Sequence, residues 1–579
     1  MYTTERNTQM LIYLMKKHGV RKVIASPGTT NICFIGSIQE DPYFEIYSSV
    51  DERSAAYIAC GLAAESGEPV ALSCTGATAS RNYVPGMTEA YYRKLPVLAI
   101  TSSQHSGRIG QLIPQVTDRG RPMNDIAKLS IQLPTIHDAE DEWACGVAIN
   151  NALLELFRHG GGPVHINLIT SYQKCFSVKE IPPVKVIQRV GYSEVKPKLQ
   201  ASRVAIYVGA HMEWNLEFTK NVERFCELYN GVVVGDHFSN YNGKYGISPS
   251  LLLSQDNYQS PCRDVDIMIH IGEVGAYGCN LKPKEVWRVS PDGEIRDTFK
   301  KLTKVFEMEE IDFFAQYISL ALNDKEKSNT TYYTEFSEEV ERIRAKVPEL
   351  PFGNAWIAQH TGKNLPKGSV LYLGILNTVR NWGFFEISDN IQCYANTGGF
   401  GIDGMVSSLL GASLADPSKL HFGIVGDLGF FYDMNVLGNR HVGSNLRLML
   451  INNGKGIEFK NYNHPAHAFG EAADSFMAAA GHYGNKSGTL VRNYALALGF
   501  EYLCASDKEA YLENVERFLN PQILERPIIF EVFTNETDES NSLKTLCNLE
   551  ISATRAAKDA IKGIIGENNI RRLKKVIKK

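Results

Sequence analysis

Strand-length apolar runs stopped by Gly, Pro or Asp alternate with stretches of helical period along almost the whole chain. No other feature narrows the possible folds as much. RKVIASPG (21–28), PVALSCTG (69–76) and LPVLAITS (95–102) have the length and composition of strands. Between the first two, ERSAAYIACGLAAE (52–65) carries small and apolar residues at helical spacing. Strands that alternate with helices pair in parallel, because each crossover returns the chain to the same end of the sheet. The pattern closes at GGGPVHINLI (160–169), and the Lys-, Pro- and Val-rich stretch 179–198 reads as a linker. A second block opens with RVAIYVGA (203–210), GVVVGDHF (231–238) and VDIMIHIG (265–272). A charged, helix-prone stretch, 323–346, leads to a third block with SVLYLGI (369–375), LHFGIVGD (420–427), LRLMLINN (446–453) and RPIIFEVF (526–533). At ~100–200 residues per domain, 579 residues make about three units. The predicted fold is therefore α/β: three doubly wound parallel-sheet domains in series, over 1–180, 181–340 and 341–579.

Composition removes other classes. Hydrophobic residues at 44% and charged residues at 21% are ordinary for a globular chain. A net charge of −4 gives a nucleic acid or an anionic membrane nothing to hold. No apolar run approaches the ~18–20 residues that span a bilayer. The amphipathic N-terminus lacks the separate apolar core of a signal peptide. The eleven cysteines form neither a CxxC nor a Cys/His cluster, so they read as reduced thiols and the expected location is cytoplasmic. The tail RRLKKVIKK (571–579) has six basic residues in nine and reads as a solvated, fraying helix.

The densest chemistry lies in GDLGFFYDMNVLGNRHVGSNLRLMLINNGKG (426–456). One strand ends in Gly426-Asp427, a helix follows, and the next strand ends in Asn452-Asn453. In a parallel sheet both strand ends lie on the carboxyl edge, where open α/β folds bind ligands. A carboxylate and an amide oxygen that meet there suit Mg²⁺, which fills its octahedron with phosphate oxygens and water. The same residues are also ordinary turn formers at strand ends.

This segment resembles the diphosphate-binding motif of thiamine-diphosphate (ThDP) enzymes, a Gly-Asp-Gly followed some two dozen residues later by Asn-Asn. The resemblance implies that Asp427, the Asn453 side chain and the Lys455 carbonyl hold Mg²⁺, with Gly426, Leu428, Gly456 and Ile457 beside the cofactor. Leu428 stands where most of the superfamily has Gly. The branch typified by the menaquinone-pathway 2-succinyl-5-enolpyruvyl-6-hydroxy-3-cyclohexene-1-carboxylate synthase also carries Gly-Asp-Leu, so the departure points to that branch. In SSVDERSAAYIACGLA, Glu52 occupies the place of the superfamily's carboxylate that hydrogen-bonds the aminopyrimidine ring and activates the thiazolium carbon. A carboxylate at a helix N-terminus is also favoured by the helix dipole alone. The Ala-rich helix after it reads as too apolar on all sides to lie at a surface.

Further matches follow in the family's order. SPGTTN (26–31) and CTGATASRN (74–82) are Gly- and Thr-rich strand-to-helix turns that offer N–H groups and hydroxyls to an anion. The resemblance sets Pro27, Gly28, Thr75 and Gly76 on the cofactor and Thr29, Asn31, Arg81 and Asn82 toward substrate. RIGQLIPQVTD (108–118) is similar to the acetolactate-synthase-type segment whose Gln faces the active centre, here Gln115. YANTGGFGIDG (394–404) is similar to the menaquinone-synthase segment with Ser-Gly-Ile-Asp-Gly, which makes Ile402 the apolar wedge under the cofactor, beside Gly401. The superfamily's layout implies a pyrimidine-binding, a central and a diphosphate-binding domain. It also implies a homodimer or homotetramer whose active site lies at the subunit interface.

The implied activity is decarboxylation of a 2-oxo acid and transfer of the acyl carbanion unit to an acceptor. Simple decarboxylation to an aldehyde, acyl transfer to a keto-sugar and a catalytically silent scaffold subunit are the alternatives. Arg380 matches one of the family's carboxylate-binding arginines, and Phe459 is assigned to the same substrate. Two others are missing: SPGTTN has no Arg after its Gly-Thr, and Thr397 stands where the family has Arg. Each charged clamp is worth ~1.5–3 kcal/mol, so their loss argues against isochorismate as acceptor. Arg81, Arg108, Arg119 and Arg121 are available for a different anion, or for solvent. The central block has no GxGxxG for a second nucleotide. Pyruvate-decarboxylase-type enzymes carry a proton-handling Ile-Glu after the metal motif, and Ile457-Glu458 matches it one residue closer. A carboxyl in an apolar site has its pKa raised, as a proton shuttle requires. His464 and His467 read as loop residues without chemical role, with a lid as the alternative.

Overall fold

The computed structural model describes residues 1–120, 122–171, 175–212, 214–276, 279–323, 331–481 and 487–551. Arg121, residues 324–330 and the basic tail lie outside the described residues. The strands form parallel sheets in two compact units, Met1–Lys196 with Pro291–Glu307, and Pro197–Ser290 with Met308–Lys579.

In the first unit, six strands make one sheet: β1 (Lys22–Ala25), β2 (Glu45–Ser48), β3 (Val70–Thr75), β4 (Val97–Ser103), β5 (Leu129–Leu133) and β6 (Val164–Ile169). Their order is β2-β1-β3-β4-β6-β5, every pair parallel. β3, β4 and β6 are buried along almost their whole length, as strands covered by helices on both faces must be. Helices Arg6–Lys17 and Ala139–Glu155 close one face: Met10, Leu11 and Leu14 join Ile149 and Leu153 in one core. Asp138 caps the second helix by accepting from Glu140 N and Asp141 N.

Two expectations change in this unit. The stretch read as a linker holds a strand, β7 (Gln188–Gly191), parallel to β13 (Leu302–Glu307), with Ile181, Ile187 and Val190 buried. The strand is only four residues, QRVG, in a stretch rich in Lys and Pro, and burial against distant residues overrides local composition. The helix Glu52–Ser66 is also less enclosed than its composition suggests. Ala55, Ala56, Ala59 and Ala63 are buried, but Tyr57 and Ile58 stand 46% and 44% exposed.

In the second unit, β8 (Val204–Val208), β9 (Gly231–Gly235), β10 (Gly246–Ile247), β11 (Asp264–Ile271) and β12 (Lys282–Ser290) run parallel in the order β10-β9-β8-β11-β12. A further sheet comprises β14 (Val370–Leu373), β15 (Gln392–Tyr394), β16 (His421–Gly426), β17 (Leu446–Asn452), β18 (Glu501–Ala505) and β19 (Ile528–Phe533). Its order, β15-β14-β16-β17-β19-β18, repeats the topology of the first sheet strand for strand. All eleven cysteines are unpaired. No described helix is long and apolar enough to cross a membrane.

Candidate active site

β16 and β17 are neighbours, with Gly426 opposite Ile451, so the residues that follow both strands emerge side by side on the carboxyl edge. Asp427 is 4% exposed. Its carboxylate accepts from Leu428 N at 2.8 Å and from Gly454 N at 2.6 Å, which ties the two strand ends together. Burial pushes the Asp427 carboxyl up to about 6, against the pull of these N–H groups. Asn452 and Asn453 divide by the strand's alternation. Asn452 donates to buried Glu531 at 2.7 Å, whereas Asn453 lines a cavity. The Lys455 ammonium is committed to Asp474 at 2.6 Å and Glu536 at 2.8 Å, which leaves its backbone for the cavity. Every predicted residue from Gly401 to Phe459, Ile402 and Glu458 included, lines this one cavity.

This donor set fits Mg²⁺ and a diphosphate. A buried carboxylate without a cation is held toward its neutral form, and the neighbouring donors are an amide and a backbone carbonyl, all hard oxygens. Among the described residues no group of three His, Cys, Asp or Glu offers another metal site.

Arg380 and Glu458 meet in a bidentate ion pair of 2.7 and 2.6 Å, with side chains 21% and 15% exposed. The guanidinium expected to bind a substrate carboxylate is thus engaged by a carboxylate of its own chain, and the expected proton shuttle is its partner. Phe459 packs edge-on against the His464 ring, and His467 Nδ1 is 3.2 Å from Lys460 O. Lys460, 6% exposed, reaches Gly470 O and Asp474 and so holds the 457–474 segment down.

The first unit gathers a second cluster. Glu52 heads its helix behind the cap residue Asp51, which accepts from Arg53 N, and Glu52 Oε2 accepts from Asn82 Nδ2 at 3.2 Å. The 26–31 turn packs directly on the end of β3: a Cβ on Gly28 would lie 2.7 Å from Thr75 Cβ, so only glycine fits. Pro27 and Thr29 are exposed. Asn31 is 2% exposed and its amide donates to Ser26 O within its own turn. Thr30, which holds the place of a missing arginine, is 3% exposed and donates to Ser102 O at 2.7 Å. Thr397 is likewise buried, at 8%. Gln115 is exposed, in left-handed backbone at φ 64°, without a hydrogen-bond partner among the described residues.

Sequence reasoning passed over Asn377, Thr378 and Asn396, which also line the cavity, and Glu539 beneath it. Glu539 is 3% exposed and accepts from Thr534, Asn377 and Asn354 N. Leu376, at φ 64° on entry to the helix Asn377–Gly383, marks this strained turn, yet nothing in its side chain signals it.

Residues 6–123 match the family model described as thiamine pyrophosphate enzyme, N-terminal TPP binding domain. The chain is 33% identical to a 2-succinyl-5-enolpyruvyl-6-hydroxy-3-cyclohexene-1-carboxylate synthase of Bacteroides fragilis, over 94% of this chain and 99% of that protein. Proteins of the same name from Phocaeicola vulgatus and Flavobacterium johnsoniae are 30% and 27% identical, over 94% and 93% of the chain and 98% and 97% of their own lengths. With that likeness along nearly its whole length, three parallel sheets and a cavity that Asp427 and Asn453 line at the ends of β16 and β17, the chain belongs to the thiamine-diphosphate-dependent enzymes, in the family of these synthases.

Proposed function

We propose that this enzyme, with Mg²⁺, decarboxylates a 2-oxo acid and joins the remaining acyl unit to an acceptor. The carrying observation is the single cavity in which buried Asp427, Asn453 and the Lys455 backbone lie with Ile402 and Gly456. ThDP supplies, when bound, a carbon nucleophile and an electron sink for the pair released with CO₂. Asp427, Asn453 and the Lys455 carbonyl would hold the metal, and Ile402 would give the cofactor an apolar support. Glu52 holds a proton at the aminopyrimidine ring, oriented by Asn82. Glu458 holds Arg380 in place. The working unit is a cytoplasmic homodimer or homotetramer.

The product for which the relatives are named carries a 2-succinyl group, a four-carbon acyl unit with its own carboxylate. A dicarboxylic 2-oxo acid is the donor of that shape. Thr30 and Thr397 in place of arginines, with Arg380 already paired, support an acceptor with fewer carboxylates than isochorismate. The test is CO₂ release from a panel that includes pyruvate and 2-oxoglutarate, with ThDP and Mg²⁺, with and without added acceptor aldehydes and enones. Faster release with an acceptor is expected; aldehyde as sole product would make the enzyme a simple decarboxylase. No release from any acid would overturn the reading.

A further inference from the structure

The chain leaves β14 through a turn that strains a leucine. Leu376 has φ 64° and ψ −117° and immediately precedes the helix Asn377–Gly383. Glycine adopts that backbone freely, whereas a side chain there crowds its own peptide groups. Such a residue persists only where its surroundings over-determine it, and here they do. Gly374 N donates to Ile424 O at 2.8 Å and Arg380 N to Leu376 O at 3.0 Å, which fixes the chain on either side. Asn377 Nδ2 donates to Glu539 at 3.2 Å, and its Oδ1 accepts from Asn381 at 3.1 Å. Asn354 Nδ2 donates to Thr378 Oγ1 at 3.4 Å, and Asn354 Oδ1 accepts from Trp382 Nε1 at 3.2 Å. Glu539, 3% exposed, accepts from Asn354 N and Thr534 as well, so one buried carboxylate anchors the whole turn.

The turn contributes both polar and apolar side chains to the cavity that holds Asp427 and Asn453. Asn354, Asn377 and Thr378 line it, but their amides and hydroxyl are engaged with one another, Glu539, Asn381 and Trp382. Arg380, on the same helix, is closed by Glu458. Leu376 is half-buried and lines the cavity too, as does Phe459, whose ring packs edge-on against His464. The metal and cofactor assignments make no use of Leu376, so its isobutyl group is available to a second reactant.

We propose that Leu376, with Phe459, seats an apolar substituent of the acceptor, so that the acceptor is an uncharged aldehyde or enone with an alkyl or aryl group. This rests on the functional reading above and adds the acceptor's chemistry. Hydrocarbon brought to this wall gains by leaving water, whereas a carboxylate there loses its hydration and finds the nearest guanidinium already paired.

The test compares hexanal with 5-oxopentanoate, an aldehyde of similar length that ends in a carboxylate, as acceptors for whichever 2-oxo acid loses CO₂ fastest. The wild type is expected to favour hexanal in kcat/KM by at least about tenfold. Leu376→Ser is expected to cut that ratio at least about fivefold, and Leu376→Met, which restores an apolar side chain, to recover most of it. A ratio unmoved by Leu376→Ser overturns the proposal, as does a wild-type preference for 5-oxopentanoate. Should Leu376→Ser not fold, Leu376→Gly decides by the same ratio. Leu376→Gly also separates the seat from a packing role. Its melting temperature is expected to stay level or rise, because the strain is gone; a fall of about 4 °C or more makes Leu376 a packing residue and overturns the proposal. Hexan-1-ol has the chain but no carbonyl to react. NMR titration without donor is expected to show it binding at least about fivefold more weakly to Leu376→Gly, and equal affinity overturns the seat. If hexan-1-ol binds through Leu376 but no 2-oxo acid loses CO₂, the seat stands and the functional reading alone fails.

Discussion

At the scale of single residues, two carboxylates carry opposite burdens. Asp427 is buried, and burial raises its carboxyl pKa, a shift that a bound cation would reverse. Asp427→Ala is expected to reduce Mg²⁺-dependent ThDP affinity by about 100-fold or more, since a hard cation loses its only carboxylate ligand. Titration followed by the cofactor's circular dichroism checks it, and unchanged affinity would remove Asp427 from the metal site. Glu52 is half-buried and hydrogen-bonded by Asn82. Glu52→Gln is expected to keep ThDP but slow exchange of the thiazolium proton by about 100-fold or more, because an amide does not favour the tautomer that a carboxyl group does. Quenched-flow NMR reads that rate. Both residues stand out in the sequence through their resemblance to the family's motifs, and the structure places each just after a strand. The roles of Thr30 and Asn31 do not: whether a hydroxyl or amide faces ligand or neighbouring backbone depends on β3 and β4, some 45 to 70 positions away.

Among elements, β6 puts the polar His165 into a sheet interior, bonded on both ring nitrogens. Burial, and secondarily Arg119, lowers its pKa to about 4. The unfolded chain binds the proton near pH 6.5 and the folded one does not. The stability is therefore complete above about pH 6.5 and falls as pH drops toward 4, by up to ~3 kcal/mol at ~1.4 kcal/mol per pH unit. Urea unfolding at pH 7, 6 and 5 is expected to show this loss in the wild type and a flatter profile in His165→Gln. Parallel slopes would assign the acid sensitivity elsewhere. Strands such as β8 (VAIYV) and β9 (GVVVG) were readable because they are unbroken apolar runs, whereas β7 (QRVG) is short, half polar and flanked by Lys and Pro. Its stability comes from pairing with β13, more than a hundred residues later, and no local propensity reports such a partner.

On the scale of the whole molecule, the first and last sheets share one strand order and each ends in an anion-suited turn region. The proposed dimer or tetramer predicts a mass of two or four times the 64.5 kDa chain by light scattering with ThDP and Mg²⁺. A monomer with full activity would exclude a site shared between subunits. The α/β class, most strand positions and the Gly-Asp to Asn-Asn motif were determined by the amino-acid sequence alone, because periodicity, turn residues and short spacings are properties of local chain. Only the tertiary structure decided which of these residues share a cavity, that Arg380 is paired with Glu458 at a separation of 78 positions, and that Asn377 is anchored by Glu539 at a separation of 162. Those outcomes depend on desolvation and on contacts between segments remote in sequence, and a side chain carries no mark of the partner that folding will bring to it.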